Sequence, residues 1–125
     1  VHTMSENTLP LLEVAVGSVD ELDDPGCREF SIGEGDWPLR GFVVRQGGDV
    51  FAYQNSCMHV GHPLNYKPDS FLTRDGSQII CASHGALYDI DSGLCTAGPC
   101  RGKELRKVEI EIRDRIIYAR GRALR

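Results

Sequence analysis

Two short runs of metal-ligating side chains carry the chemistry this chain could perform. Cys57-Met58-His59-Val60-Gly61-His62 contains a C-x-H pair, Cys57 with His59, and Cys81-Ala82-Ser83-His84-Gly85 contains a C-x-x-H pair, Cys81 with His84. Two thiolates and two imidazoles brought together suit tetrahedral zinc, or a [2Fe–2S] cluster with two cysteines on one iron and two histidines on the other. Zinc sites commonly pair like ligands, C-x₂₋₄-C with H-x₃₋₅-H, whereas each run here is mixed. The mixing fits a cluster in which each loop gives one ligand to each iron. Cys57 and Cys81 would then hold the inner iron, and His59 and His84 the outer. A zinc-bound structural module stays open as the rival.

Both runs follow strand signals. Gly41 to Gln46 and Val50 to Gln54 are β-rich and flank Gly47-Gly48-Asp49, a hairpin signature that delivers the chain into Cys57. Phe71 to Thr73 and Ser77 to Ile80 flank Asp75-Gly76, and this second hairpin leads into Cys81. Ala86 to Ile90 and Leu94 to Thr96 face each other across Asp91-Ser92-Gly93, and Ala97-Gly98-Pro99-Cys100 follows as a Gly-Pro loop. Leu11 to Val16 reads as a first strand, Leu105 to Ile112 and Ile116 to Ala119 as the last two. Val19 to Ile32, acidic and broken by Pro25-Gly26, reads as a loop with a short helical turn around Ser18 to Glu21. Many short strands between turn signals mean an all-β antiparallel sandwich or barrel. The two ligand loops and the Gly-Pro loop should meet at one tip, as a small subdomain over residues 55–100.

C-M-H-V-G-H-P-L and C-A-S-H-G-A-L-Y-D resemble the two cluster-binding boxes of Rieske [2Fe–2S] proteins. The likeness runs from about Arg40 to Ala119, and Gly61 and Gly85 stand where the family has glycine. It implies a Rieske-type fold, one [2Fe–2S] cluster, and Cys57, His59, Cys81 and His84 as its ligands. High-potential members carry an extra cysteine in each box, joined as a disulfide; His62 and Ser83 stand there instead. Their serine that hydrogen-bonds a bridging sulfide is replaced by Ala86, while Tyr88 falls where their tyrosine donates to a cysteine sulfur. With two devices missing, the resemblance implies a potential low in the range of about −150 to +300 mV. His62 reads as a non-ligand loop histidine, and Pro99 as shaping the loop that shields the cluster.

The chain has 125 residues, 41% hydrophobic and 26% charged, which is ordinary for one soluble domain. Met4 is a candidate native start, and residues 1–10 read as a terminal arm with a vector-derived remnant at its front. No apolar run is long enough to span a bilayer and no secretion signal opens the chain, so the expectation is a cytoplasmic protein without a membrane partner. Net charge is −4, with ten acids and three bases in residues 1–50 and a net +3 in the remainder. Arg101, Lys103, Arg106 and Lys107 beside the Gly-Pro loop form a candidate docking edge for an acidic redox partner. The basic tail is too short to indicate nucleic acid. Of five cysteines, Cys27 reads as a small apolar filler, and Cys95 and Cys100 as either a local disulfide or two thiols.

No Ser/His/Asp arrangement, P-loop or GxGxxG is present, and the length leaves no room for the large iron-containing catalytic domain of oxygenase subunits. The expected function is that of a ferredoxin: one electron at a time between a reductase and an oxygenase, as a component of an oxidoreductase system and not a catalyst by itself. The alternative is a small Rieske subunit held in a larger reductase, similar to that of nitrite reductase.

Overall fold

A computed structural model describes residues 11–33, 38–57, 63–65, 67–82 and 85–122 of the chain. Among the described residues, nine strands form three antiparallel sheets: β1 (Leu11–Ser18), β2 (Gly26–Ile32), β3 (Leu39–Gln46), β4 (Asp49–Gln54), β5 (Gln78–Ile80), β6 (Leu87–Asp89), β7 (Cys95–Ala97), β8 (Glu109–Arg113) and β9 (Ile116–Arg122). The sheet orders are β1-β9-β8, β2-β3-β4 and β5-β6-β7.

The first two sheets close on one another. Tyr53 of β4 bridges Lys107, Gln54 N donates to Arg106 O and Val108 N to Ala52 O, so the segment entering β8 lies along β4. At the other side β1 contacts β2. Side chains alternate along strands, and Val14 and Val16 of β1, Phe30 and Ile32 of β2, Val43, Ala52, Ile117 and Ala119 fill the enclosed core. The opposite face of β3 and β4 is also covered. Phe42, Val44 and Tyr53 pack there with Phe71, Ile79, Tyr88 and Leu105 in a second core, Phe42 stacking on Phe71 at 4.0 Å between ring centres. A strand buried on both faces reads as a continuous apolar run, and Phe42-Val43-Val44 is such a run, each residue 0% exposed.

Three boundaries differ from the sequence expectation. Val19 to Ile32 is a loop only in its first half; Gly26–Ile32 is β2, paired residue for residue with β3. Its alternation, with Phe30 and Ile32 buried and Ser31 exposed, is hidden in the sequence behind the acids and Pro25. The short turn is present at Val19–Glu21, with Ser18 and Glu21 forming a capping box. The second hairpin is thinner than expected: Leu72 makes a single bridge to Ile79 rather than a strand. Asp75 organises its turn instead, accepting from Thr73 Oγ1 at 2.6 Å and from Ser77 N and Oγ at 3.1 and 2.8 Å. The third is at the end: β8 starts at Glu109, because Leu105 and Val108 turn into the two cores and Arg106 and Lys107 serve β4.

Candidate metal centre

Cys57 and Cys81 each lie just past a strand, β4 and β5, and each is 1% exposed within the same core. The loop after Cys57 is tied at its far end. Asn55 Oδ1 accepts from Leu64 N at 2.8 Å, and Asn55 Nδ2 donates to Asn65 Oδ1 at 3.0 Å. Leu64 O in turn accepts from Ala82 N at 2.7 Å, joining the first run to the second. Around Cys81 the backbone closes a tight turn, with Cys81 N donating to Ala86 O and Gly85 N to Cys81 O, both at 2.9 Å. Gly85 holds φ +71, and nothing lies within 4 Å of where a Cβ would stand. A positive φ there favours glycine over any β-carbon residue.

The Gly-Pro loop sits on this turn. Gly98, at φ +99, approaches so closely that an added Cβ would stand 2.8 Å from Ala86 Cα. Ala86 is fully buried, and Gly98 leaves it no room to grow. Beneath the loop, the Tyr88 hydroxyl lies 3.5 Å from Cys57 Sγ and 3.0 Å from Cys100 Sγ. Cys100 Sγ lies 3.1 Å from Cys95 Sγ, and Cys95 Sγ is 3.2 Å from Ala97 O. These last two are thiols, not a disulfide. Burial, then the neighbouring Cys100 thiol, pushes Cys95 up to about 11, so it stays protonated at neutral pH. Cys27 lies against the same core, and burial raises it to about 12, which suits a filler.

The ligands expected from sequence are thus half in view. Cys57 and Cys81 belong to one buried cluster, with Gly85, Ala86, Tyr88 and Gly98 around them; Pro99 is exposed. Gly61, His62, Ser83 and the two histidines expected as ligands, His59 and His84, lie outside the described residues. Among the described residues no three His, Cys, Asp or Glu side chains converge on a common point. The donor chemistry nevertheless fits an inner iron: two buried sulfurs at the ends of rigid strands, with a phenol positioned to donate to one of them. Sequence reasoning missed Asn55 and Cys100. Asn55 had a faint signal, a side chain able to accept and donate two residues before Cys57; Cys100 had none beyond its loop. Arg101, Lys103, Arg106 and Lys107 are all exposed. Lys103 O accepts from Cys95 N and Arg106 O from Gln54 N, which anchors the backbone of the basic segment beside both β7 and β4.

Strand-borne cysteine loops over a closed β scaffold define a class, and the match to a family model fixes it. The model of the Rieske [2Fe-2S] domain covers residues 13–112, and the chain belongs to that family, whose members bind a [2Fe–2S] cluster. Ferredoxin CarAc of Metapseudomonas resinovorans is 29% identical over 79 residues, 63% of this chain and 68% of that protein. In fold, the chain is similar to the ferredoxin of carbazole 1,9a-dioxygenase from Nocardioides aromaticivorans IC177, at TM-score 0.65 and 24% identity over 86% of this chain and 96% of the other. It is also similar to a chain in the complex of reduced oxygenase and oxidised ferredoxin of carbazole 1,9a-dioxygenase, at TM-score 0.69 and 21% identity over 89% and 94% of the two chains. Among the described residues no helix is long and apolar enough to cross a membrane.

Proposed function

We propose that this protein is a Rieske-type ferredoxin, a one-electron carrier between a reductase and a partner oxygenase. The observation that carries the reading is the family match across both ligand runs, together with a ferredoxin relative matched over two thirds of its length. Cys57, His59, Cys81 and His84 are the proposed ligands. A cluster held by them would supply one-electron chemistry, with the neutral imidazoles of His59 and His84 keeping its charge low and its potential above that of all-cysteine clusters. The chain supplies the rest. Cys57 and Cys81 offer sulfurs held away from water, and Tyr88 donates to Cys57, favouring the more negative state. Asn55, Leu64 and Ala82 keep the two runs in register, and Gly98 brings the Gly-Pro loop down as a lid over Ala86. The exposed Arg101, Lys103, Arg106 and Lys107 offer an acidic partner a landing edge. Thiols at Cys27, Cys95 and Cys100 suit a reducing compartment, in keeping with a cytoplasmic carrier.

An EPR spectrum of the dithionite-reduced protein, with iron and zinc assayed on the same sample, tests this. A Rieske-type signal with two irons per chain is the expected result. Zinc with no signal would refute it, and co-elution of all the protein with a large reductase in cell extract would replace the free carrier by a bound subunit.

A further inference from the structure

Cys100 is buried at 2% exposure, carries no expected role as a ligand, and stands 3.0 Å from the oxygen of Tyr88. A cysteine that ligates iron is a thiolate and has no hydrogen to give. At the Cys57–Tyr88 contact the hydrogen must therefore come from the phenol, and a phenol oxygen that donates can also accept. Cys100 Sγ is a donor within reach. Among the described residues its one hydrogen has two acceptors in reach, the Tyr88 oxygen at 3.0 Å and Cys95 Sγ at 3.1 Å. Oxygen is the better acceptor, since thiol sulfur accepts only weakly. Cys95 does not compete for Tyr88, because its own thiol faces Ala97 O at 3.2 Å.

We propose that Cys100 is a positioning residue for electron transfer: it donates to the Tyr88 oxygen, turns the phenol hydrogen toward Cys57, and so raises the reduction potential of the cluster. The inference rests on the cluster ligation proposed above. Its physical basis is cooperativity. A hydroxyl that accepts a hydrogen bond donates a stronger one, by roughly 10–30% per link of a chain. The bond so strengthened ends on a sulfur that becomes more negative when the electron arrives, and it therefore favours the reduced state. The link also fastens the Gly-Pro loop, which carries Cys100, to β6, which carries Tyr88.

Midpoint potentials of cluster-loaded wild type, Cys100→Ala, Tyr88→Phe and the double variant test the proposal, each with its iron content measured. Cys100→Ala should lower the reduction equilibrium constant about threefold, some 30 mV at about 59 mV per tenfold. In the Tyr88→Phe background the same substitution should change nothing, because the intermediary is gone. A loss of packing alone would shift both backgrounds alike. An unchanged potential in Cys100→Ala with two irons bound, or equal shifts with and without the Tyr88 hydroxyl, would overturn the proposal. Should Cys100→Ala fail to hold two irons, Cys100→Ser carries the comparison. A serine hydroxyl is the stronger donor, so the potential should rise with Tyr88 intact and stay level in Tyr88→Phe; a rise in neither or in both overturns it. A wild type without a Rieske signal would instead defeat the ligand assignment, before any variant is compared.

Discussion

The amide of Ala82 donates to the carbonyl of Leu64 across 2.7 Å, and this bond joins the two halves of the metal centre. Leu64 is fully buried, and its own amide is held by Asn55, two residues before Cys57. The two cysteine loops are therefore tied together by one main-chain bond and one bond to the Asn55 side chain, neither of which involves Cys57 or Cys81.

Replacing Asn55 by Ala should remove both of its side-chain bonds and leave the Leu64 amide without that acceptor. The cost should be about 1–3 kcal/mol, read as a lower midpoint in urea unfolding. Iron should also leave faster to a chelator. Asn55→Asp keeps the acceptor for Leu64 and should recover part of the loss. Retention of iron at the wild-type rate in Asn55→Ala would mean that the loop is held by other means.

Gly98→Ala brings a β-carbon against Ala86 Cα at a backbone angle that favours glycine. The loop must move away, at about 1–3 kcal/mol. The lid should then protect less, and bleaching of the visible spectrum by chelator should accelerate relative to wild type. Gly102→Ala, also at positive φ but with open space around it, separates the two contributions: it should weaken the fold without the same loss of cluster protection.

Asp75 gives a pH test. Hydrogen bonds from the Thr73 hydroxyl first, then from the Ser77 amide and hydroxyl, hold its carboxyl at about 2, below the ordinary 3.8. A lowered carboxylate favours the folded state fully above pH 3.8, and that contribution fades as pH falls toward 2. An NMR titration should find the Asp75 midpoint near 2, and Thr73→Ala should move it up toward 3.8. A midpoint already at 3.8 in wild type would contradict the turn as described.

Reversing charge at Arg101, Lys103, Arg106 and Lys107 together should slow electron transfer to an acidic partner about tenfold at low salt. Salt shortens the screening length to about 3 Å at 1 M, so the difference should shrink there. Stopped-flow rates at two ionic strengths decide it. Equal slowing at both would point to lost contacts rather than lost steering.

The hairpin before Cys57 and the family likeness carried by the two Cys/His runs were legible in the sequence because their signals are local: Gly47-Gly48-Asp49, and cysteine and histidine at short spacing. β2 was not, because acids and Pro25 precede a short alternation that only gains meaning when Phe30 and Ile32 find the enclosed core. The pairing of β1 with β9, and thus the closure of the scaffold, joins residues about as far apart as the chain allows; no local pattern announces it. The bond from the Leu64 amide to Asn55 and the contact between Tyr88 and Cys100 were hidden for the same reason. Each depends on where a loop returns, not on which residues it contains.

The β2-β3-β4 sheet, covered on both faces, has a consequence for how the molecule comes apart. Shedding the metal-bearing side would strand Phe42, Val44 and Tyr53 in water, and shedding the other would strand Val43 and Ala52. Neither half has a free-standing existence to fall back on. The two should melt in a single cooperative event, with amides of β3 exchanging only when the whole molecule opens.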